Sequence, residues 1–200
     1  SDVVNLEINA NFDGAAADTV QVDIDLDFVE TLNFTTTDWL VDEDNTLNGG
    51  ENFVLNVESG DRLSTINVIA ELATSVVEQA SNFTALNTFN ASGSTGGVTV
   101  SLANATQGVV ATGGAGDDVF TGSGFADEIS MDDGNDQVTG GAGADELSGG
   151  AGDDQFIFAT GDSTETDMAS ILDYQAAAAA LENDTLVLDS SNDAVGTADA

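Results

Sequence analysis

Apolar and polar residues alternate along the first part of the chain. Val20, Val22, Ile24, Leu26 and Phe28 are separated by Gln21, Asp23, Asp25 and Asp27, a period of two that predicts a strand with one wet face. Similar short runs follow at Phe53–Val57, Leu63–Val68 and Val98–Leu102. From Gly113 to Ile157 the rhythm changes. One apolar residue returns at every ninth position (Phe120, Ile129, Val138, Leu147, Phe156), each two places after an aspartate (Asp118, Asp127, Asp136, Asp145, Asp154). The five units read GGAGDDVFT, GSGFADEIS, MDDGNDQVT, GGAGADELS and GGAGDDQFI, without a slip in register.

Each unit encodes a turn and a very short strand. A run such as Gly113-Gly114-Ala115-Gly116 bends where other residues cannot, because glycine reaches positive φ at little steric cost and lets carbonyls approach closely. The three residues after each Asp alternate polar, apolar, polar, so only the middle side chain points inward. Two nine-residue units then close one coil of 18 residues, and unit n stacks on unit n+2 at roughly 4.8 Å. Asp118, Asp136 and Asp154 fall on one edge of the stack, and Asp127 and Asp145 on the other.

Residues 1 to 112 carry a weaker echo: Glu30-Thr31-Leu32-Asn33, Ser64-Thr65-Ile66-Asn67 and Thr84-Ala85-Leu86-Asn87, at spacings of 34 and then 20 residues. Apolar-then-Asn steps fit solenoid coils in which Asn bonds the backbone at a corner, with insertions between coils. One insertion, Glu71 to Ala80 (ELATSVVEQA), reads as a helix, and Ala176 to Leu181 as another. The expected fold is all-β: a right-handed parallel β-solenoid or β-roll with short helical insertions. Its parts are a β-rich solenoid-like region at 1–112, the β-roll at 113–157 and a capping segment at 158–200. The alternative for the first region is a separate β-sandwich. In the cap, Gln155 to Phe158 reads as a capping strand, Asp167 to Tyr174 as an acidic-aromatic step and Asp184 to Leu188 as a closing strand. The last dozen residues read as a frayed end. Neither end looks like a polar cap, which suggests a fragment of a larger protein.

Charge changes the picture. Acidic residues number 37 against one basic residue, Arg62, for a formal net charge of −36. Stacked carboxylates at these spacings repel at neutral pH unless a cation lies between them, and no Lys or Arg lies in the repeats. Carboxylates and turn carbonyls are hard oxygen ligands that suit Ca²⁺. Without His or Cys, zinc and copper are disfavoured. Nucleic acid and membrane insertion are not expected, because there is neither a basic patch nor an apolar run near 18 residues. No pair of carboxylates stands out among the 37 as catalytic, so the chain does not read as an enzyme. Asn9, Asn11, Asp13 and Gly14 open like an EF-hand loop, but Val20 stands where a bidentate Glu is needed. Asp42 to Asn45, before Gly49-Gly50-Glu51, reads as a solvated loop or an accessory Ca²⁺ site.

The five units resemble the GGxGxDxUx nonapeptide of the RTX family, the calcium-binding parallel β-roll of bacterial proteins exported by type I secretion. The resemblance covers about a quarter of the chain. It implies three Ca²⁺ sites: Gly114, Gly116 and Asp118 facing Gly134 and Asp136; Asp127 facing Gly141, Gly143 and Asp145; and Asp136 facing Gly150, Gly152 and Asp154. The second unit departs from the pattern with Phe125 at its fourth position, and the third begins Met131-Asp132-Asp133. The segments ETLNFT, STINV, TALNTFNAS and GGVTVSLANAT resemble the β-rich parts of bacterial S-layer proteins. This implies a calcium-binding structural protein at the bacterial cell surface that self-assembles into a lattice or filament. The alternative is a calcium-dependent secretion and folding module of an RTX exoenzyme, toxin or adhesin, the last with a cell-surface glycan as partner.

Overall fold

The computed structural model describes residues 2–10, 19–26, 28–38, 52–59, 62–71, 73–78, 83–162, 167–174 and 184–188. Within them the strands run β1 (Val3–Ala10), β2 (Thr19–Asp25), β3 (Thr31–Asp38), β4 (Asn52–Ser59), β5 (Thr65–Ala70), β6 (Ala73–Glu78), β7 (Thr88–Asn90), β8 (Val98–Ser101), β9 (Val110–Thr112), β10 (Val119–Thr121), β11 (Glu128–Ser130), β12 (Gln137–Thr139), β13 (Glu146–Ser148), β14 (Gln155–Phe158), β15 (Ser170–Ile171) and β16 (Thr185–Leu188). Odd strands form one sheet in the order β1-β3-β5-β7-β9-β11-β13-β15, and even strands form the other, from β2 to β16. The chain crosses between the sheets at every turn, and neighbouring strands pair in parallel, as in β3 with β5 and β10 with β12. This is an all-β parallel solenoid, and its parallel pairing rules out the sandwich for the described part of residues 1–112. The pairs β9–β11 and β8–β10 carry both sheets across residue 113.

The core is two facing columns of side chains. In-register pairing stacks Val4, Leu32, Ile66, Phe89, Ala111, Ile129, Leu147 and Ile171 down the odd sheet. Down the even sheet it stacks Val22, Leu55, Val76, Val100, Phe120, Val138, Phe156 and Leu186. Every interior coil buries its residue of each column, while Val4, Val22 and Ile171 at the ends are only partly covered. The rings of Phe89 and Phe120 meet across the core with centroids 6.0 Å apart, in the tilted geometry aromatic pairs favour. The stack tapers: β1 and β3 have eight residues each, β9 to β13 three each and β15 two.

Four readings change. Residues 73–78 of the expected helix form β6, because Val76 fills the rung between Leu55 and Val100; burial in a stack overrides the helical preference of Glu, Leu and Ala. No helix occurs among the described residues. The third echo is Thr88-Phe89-Asn90 rather than Thr84-Ala85-Leu86-Asn87, since Thr65-Ile66-Asn67 pairs with it. The asparagines lie within strands and bond one another: Asn33 Nδ2 donates to Asn5 Oδ1 and Asn67 Nδ2 to Asn33 Oδ1, both at 2.7 Å. Strand β14 does not cap the stack, because β16 pairs beyond it. The expected helix at 176–181, the acidic loop at 42–51, residues 11–18 of the rejected EF-hand-like run and the last dozen residues lie outside the described residues.

Asn33→Ala removes both ladder bonds at once. The expected cost is about 1–3 kcal/mol, at roughly 0.5–1.5 kcal/mol per bond, read as a lower urea midpoint with an unchanged slope.

Candidate metal centre

The turns between the short strands line up along the two edges of the roll. Their sixth-position aspartates, Asp118, Asp127, Asp136, Asp145 and Asp154, are all buried, with at most 3% exposure. Parallel stacking gives each carboxylate a fixed donor from the coil before it. Asp118 N–H donates to Asp136 Oδ1 (2.8 Å), Asp136 N–H to Asp154 Oδ1 (2.9 Å) and Asp127 N–H to Asp145 Oδ1 (3.0 Å). The ladders start where Val98 and Val109 N–H donate to Asp118 and Asp127. The edge of Asp118, Asp136 and Asp154 continues to Asp184, whose Oδ1 accepts from Asp154 N–H at 3.2 Å. Asp184 is absent from the expected site residues, although it precedes Leu186 by the same two places as every repeat Asp.

The first-position glycines Gly113, Gly122, Gly140 and Gly149 also escape the sequence reading. A Cβ there would fall 2.1–2.5 Å from Oδ2 of the unit's own aspartate. Recurrence at every unit but the third, where Met131 stands, is the available signal.

The turns fall into two kinds. In the first two units the second-position N–H closes onto the unit's own carboxylate: Gly114 N–H to Asp118 Oδ2 (2.8 Å) and Ser123 N–H to Asp127 Oδ2 (2.6 Å). Ser123 Oγ donates as well, to Asp127 Oδ1 at 2.8 Å. In the last three units the second and fourth positions take positive φ instead: Asp132 69° and Gly134 142°, Gly141 92° and Gly143 140°, Gly150 96° and Gly152 140°. This turns the second-position N–H away from the carboxylate; Gly150 N–H bonds Asp173 Oδ2 instead, at 2.8 Å. Asp136 Oδ2 and Asp145 Oδ2 are left buried without a partner. The two departures from the repeat are thereby explained. Phe125 sits in a closed turn that needs no left-handed residue, and Asp132 supplies one where Asp is tolerated.

Burial raises the pKa of Asp118, Asp127, Asp136 and Asp145. It holds Asp136 at about 7, aided by the charges of Asp118 and Asp154, and Asp145 at about 6, aided by Asp127 and Asp162. Burial also pushes Asp118 and Asp127 upward, against the backbone donors that pull them down. Outside this ladder, Asn135 separates two acids: its N–H donates to Asp117 Oδ1 (2.8 Å), and its Oδ1 accepts from Asp153 N–H (3.0 Å).

The structure brings the expected residues together: Asp118 under Asp136, Asp136 under Asp154, and Asp127 under Asp145, with the expected glycines in the same turns. Orphaned buried oxygens, an all-oxygen donor set and glycine turns that a Cβ would fill fit a hard divalent cation. A Cβ at Gly150 would stand 1.7 Å from the Asp132 carbonyl oxygen, and one at Gly152 equally close to that of Gly134. Among the described residues no three acidic side chains converge on one point, so turn carbonyls would complete any shell. Bound there, Ca²⁺ neutralises the facing carboxylates.

Residues 110–130 and 132–165 match the RTX calcium-binding nonapeptide repeat, in four copies. Among curated proteins there is no match to the chain. Register, buried aspartate ladders and glycine turns agree with that family, and residues 110–165 carry an RTX calcium-binding β-roll.

Proposed function

We propose that the chain is a structural segment of an exported bacterial surface assembly of the S-layer kind, folding and assembling on Ca²⁺ outside the cell. RTX repeats bind Ca²⁺ and typically belong to secreted proteins. The observation that supports a structural role is the continuity of both sheets from β1 to β15 and from β2 to β16. The repeats extend a load-carrying stack instead of hanging from an independent domain. At low calcium the acidic chain repels itself. At millimolar calcium, sites with a Kd on the order of 10⁻⁴–10⁻³ M fill and binding energy becomes folding energy. The surfaces for lattice or filament contacts would be the ends of the stack, where β1, β2, β15 and β16 each pair on one side only among the described residues.

The test is a Ca²⁺ titration of the chelator-treated chain, followed by far-UV circular dichroism and light scattering, with Mg²⁺ as control. A cooperative gain of β signal near millimolar Ca²⁺ together with rising scattering is expected. Folding without scattering would favour a secretion and folding module, and glycan binding without self-assembly an adhesin. No response to Ca²⁺ would remove the calcium reading of the ladders altogether.

A further inference from the structure

The two outer faces of the roll differ in charge. Seventh-position side chains point outward, and along the repeats they are Val119, Glu128, Gln137, Glu146 and Gln155. Consecutive units alternate between the sheets, so both glutamates fall on the odd sheet, where Glu128 and Glu146 pair in register as like charges. The even sheet receives Val119, Gln137 and Gln155, and Gln137 Nε2 donates to Gln155 Oε1 at 2.6 Å. The ninth position adds Thr121, Thr139 and Ile157 to this face, and β8 and β16 extend it with Thr99 and Thr185. No outward position of β8, β10, β12, β14 or β16 carries a charge. The acids Asp117 and Asp153 stand at its rim, with Asn135 between them.

Charge then selects the partner. Two copies with a net charge of −36 each repel, and a face without charge is where they approach at least cost. A cationic partner would be drawn instead to the glutamates of the odd sheet. Val119, Thr121, Thr139 and Ile157 are β-branched, and such side chains suit the packing of one sheet on another at about 10 Å. Five rungs about 4.8 Å apart and three residues wide cover roughly 250 Å² of sheet. A stable dimer needs about 800 Å² per partner. Each contact is therefore weak, and it gains strength only when repeated between rows of copies.

We infer that the outer face of the even sheet, from β8 to β16, is a lateral docking surface for the same face of a second copy of this chain. It rests on the assembly proposed above and adds a second direction of growth to the ends of the stack.

The chain has no cysteine, so single introduced cysteines report the contact. Thr139→Cys lies on β12, the middle strand of the patch, where a two-fold axis brings two copies together; Ser130→Cys occupies the same repeat position on the odd sheet. With Ca²⁺ present, a bismaleimide about 10 Å long is expected to join Thr139→Cys into dimers and to leave Ser130→Cys single. Val119→Glu gives the even sheet the residue that the odd-sheet units already carry. It is expected to gain β signal on Ca²⁺ as the parent does, and to need about tenfold more protein before it scatters light. Equal cross-linking at both cysteines, with Val119→Glu scattering like the parent, overturns this inference and leaves assembly through the ends of the stack. A parent that folds on Ca²⁺ without scattering or cross-linking overturns both. If Thr139→Cys carrying a fluorophore stays single but responds to dextran, the face belongs to a neutral glycan and the inference fails.

Discussion

Gly152→Ala is expected to lower the melting temperature of the calcium-loaded chain by about 10 °C. Its Cβ would stand 1.7 Å from the Gly134 carbonyl oxygen, and its φ of 140° is one an L side chain rarely adopts. Strain and overpacking act together here. Each contributes roughly 1–3 kcal/mol, and a change of about 1 kcal/mol moves the midpoint of a chain this long by about 2–4 °C. The clashing atom is backbone of the neighbouring coil, so relief requires the coils to separate. Gly124→Ala is the matched control: nothing lies within 4 Å of its Cβ position and its φ is not left-handed. That variant is expected to melt within about 2 °C of the parent. Thermal melts of both in Ca²⁺ decide the matter; equal midpoints would show that the turns do not stack this closely.

The second large effect concerns Asp136. Its carboxyl has a pKa of 3.8 when exposed and is held at about 7 by burial, then by Asp118 and Asp154 on either side. For an acid raised in the folded state, the stabilising contribution is complete below 3.8 and is lost as pH rises through 7, because the fold must then bury a charge. The calcium-free chain is therefore expected to lose stability between about pH 4 and pH 8. Calcium binding runs the other way. The ligands must be ionised, so affinity rises across the same window and protons are released on binding. Asp136→Asn separates the two effects. The amide oxygen still accepts from Asp118 N–H, but the buried charge is gone, so the calcium-free variant is expected to outlast the parent at pH 8 and to gain less from Ca²⁺. Thermal melts from pH 5 to 8, with chelator and with Ca²⁺, measure both slopes. A calcium-free parent that gains stability toward pH 8 would rule out the buried acid.

Much of this fold is legible in the sequence. A nine-residue period with one apolar residue per unit has few solutions other than a coil of short strands, and parallel stacking then dictates which aspartates face each other. The strand at 73–78 is not legible in the sequence, because Ala73 and Glu78 favour a helix in isolation and only the rung between Leu55 and Val100 makes Val76 a strand residue. The coil containing Asn90 is ambiguous in the sequence for a different reason. Both Leu86-Asn87 and Phe89-Asn90 offer an apolar residue before Asn; the shared triplet Thr-apolar-Asn, present at 31, 65 and 88, identifies the second. The two kinds of turn were hidden as well. Gly114 and Gly150 occupy the same place in their units, yet only Gly150 takes positive φ, and Gly150 N–H bonds Asp173 while Gly114 N–H bonds Asp118. Neighbouring coils decide this, and no single unit encodes it.

The taper has a mechanical consequence. A load along the stacking axis passes through every coil in series, and each junction resists in proportion to its paired residues. The junction between β1 and β3 has eight such pairs, and that between β13 and β15 has two. Tension therefore peels the odd sheet first at its narrow end, while the broad coils hold.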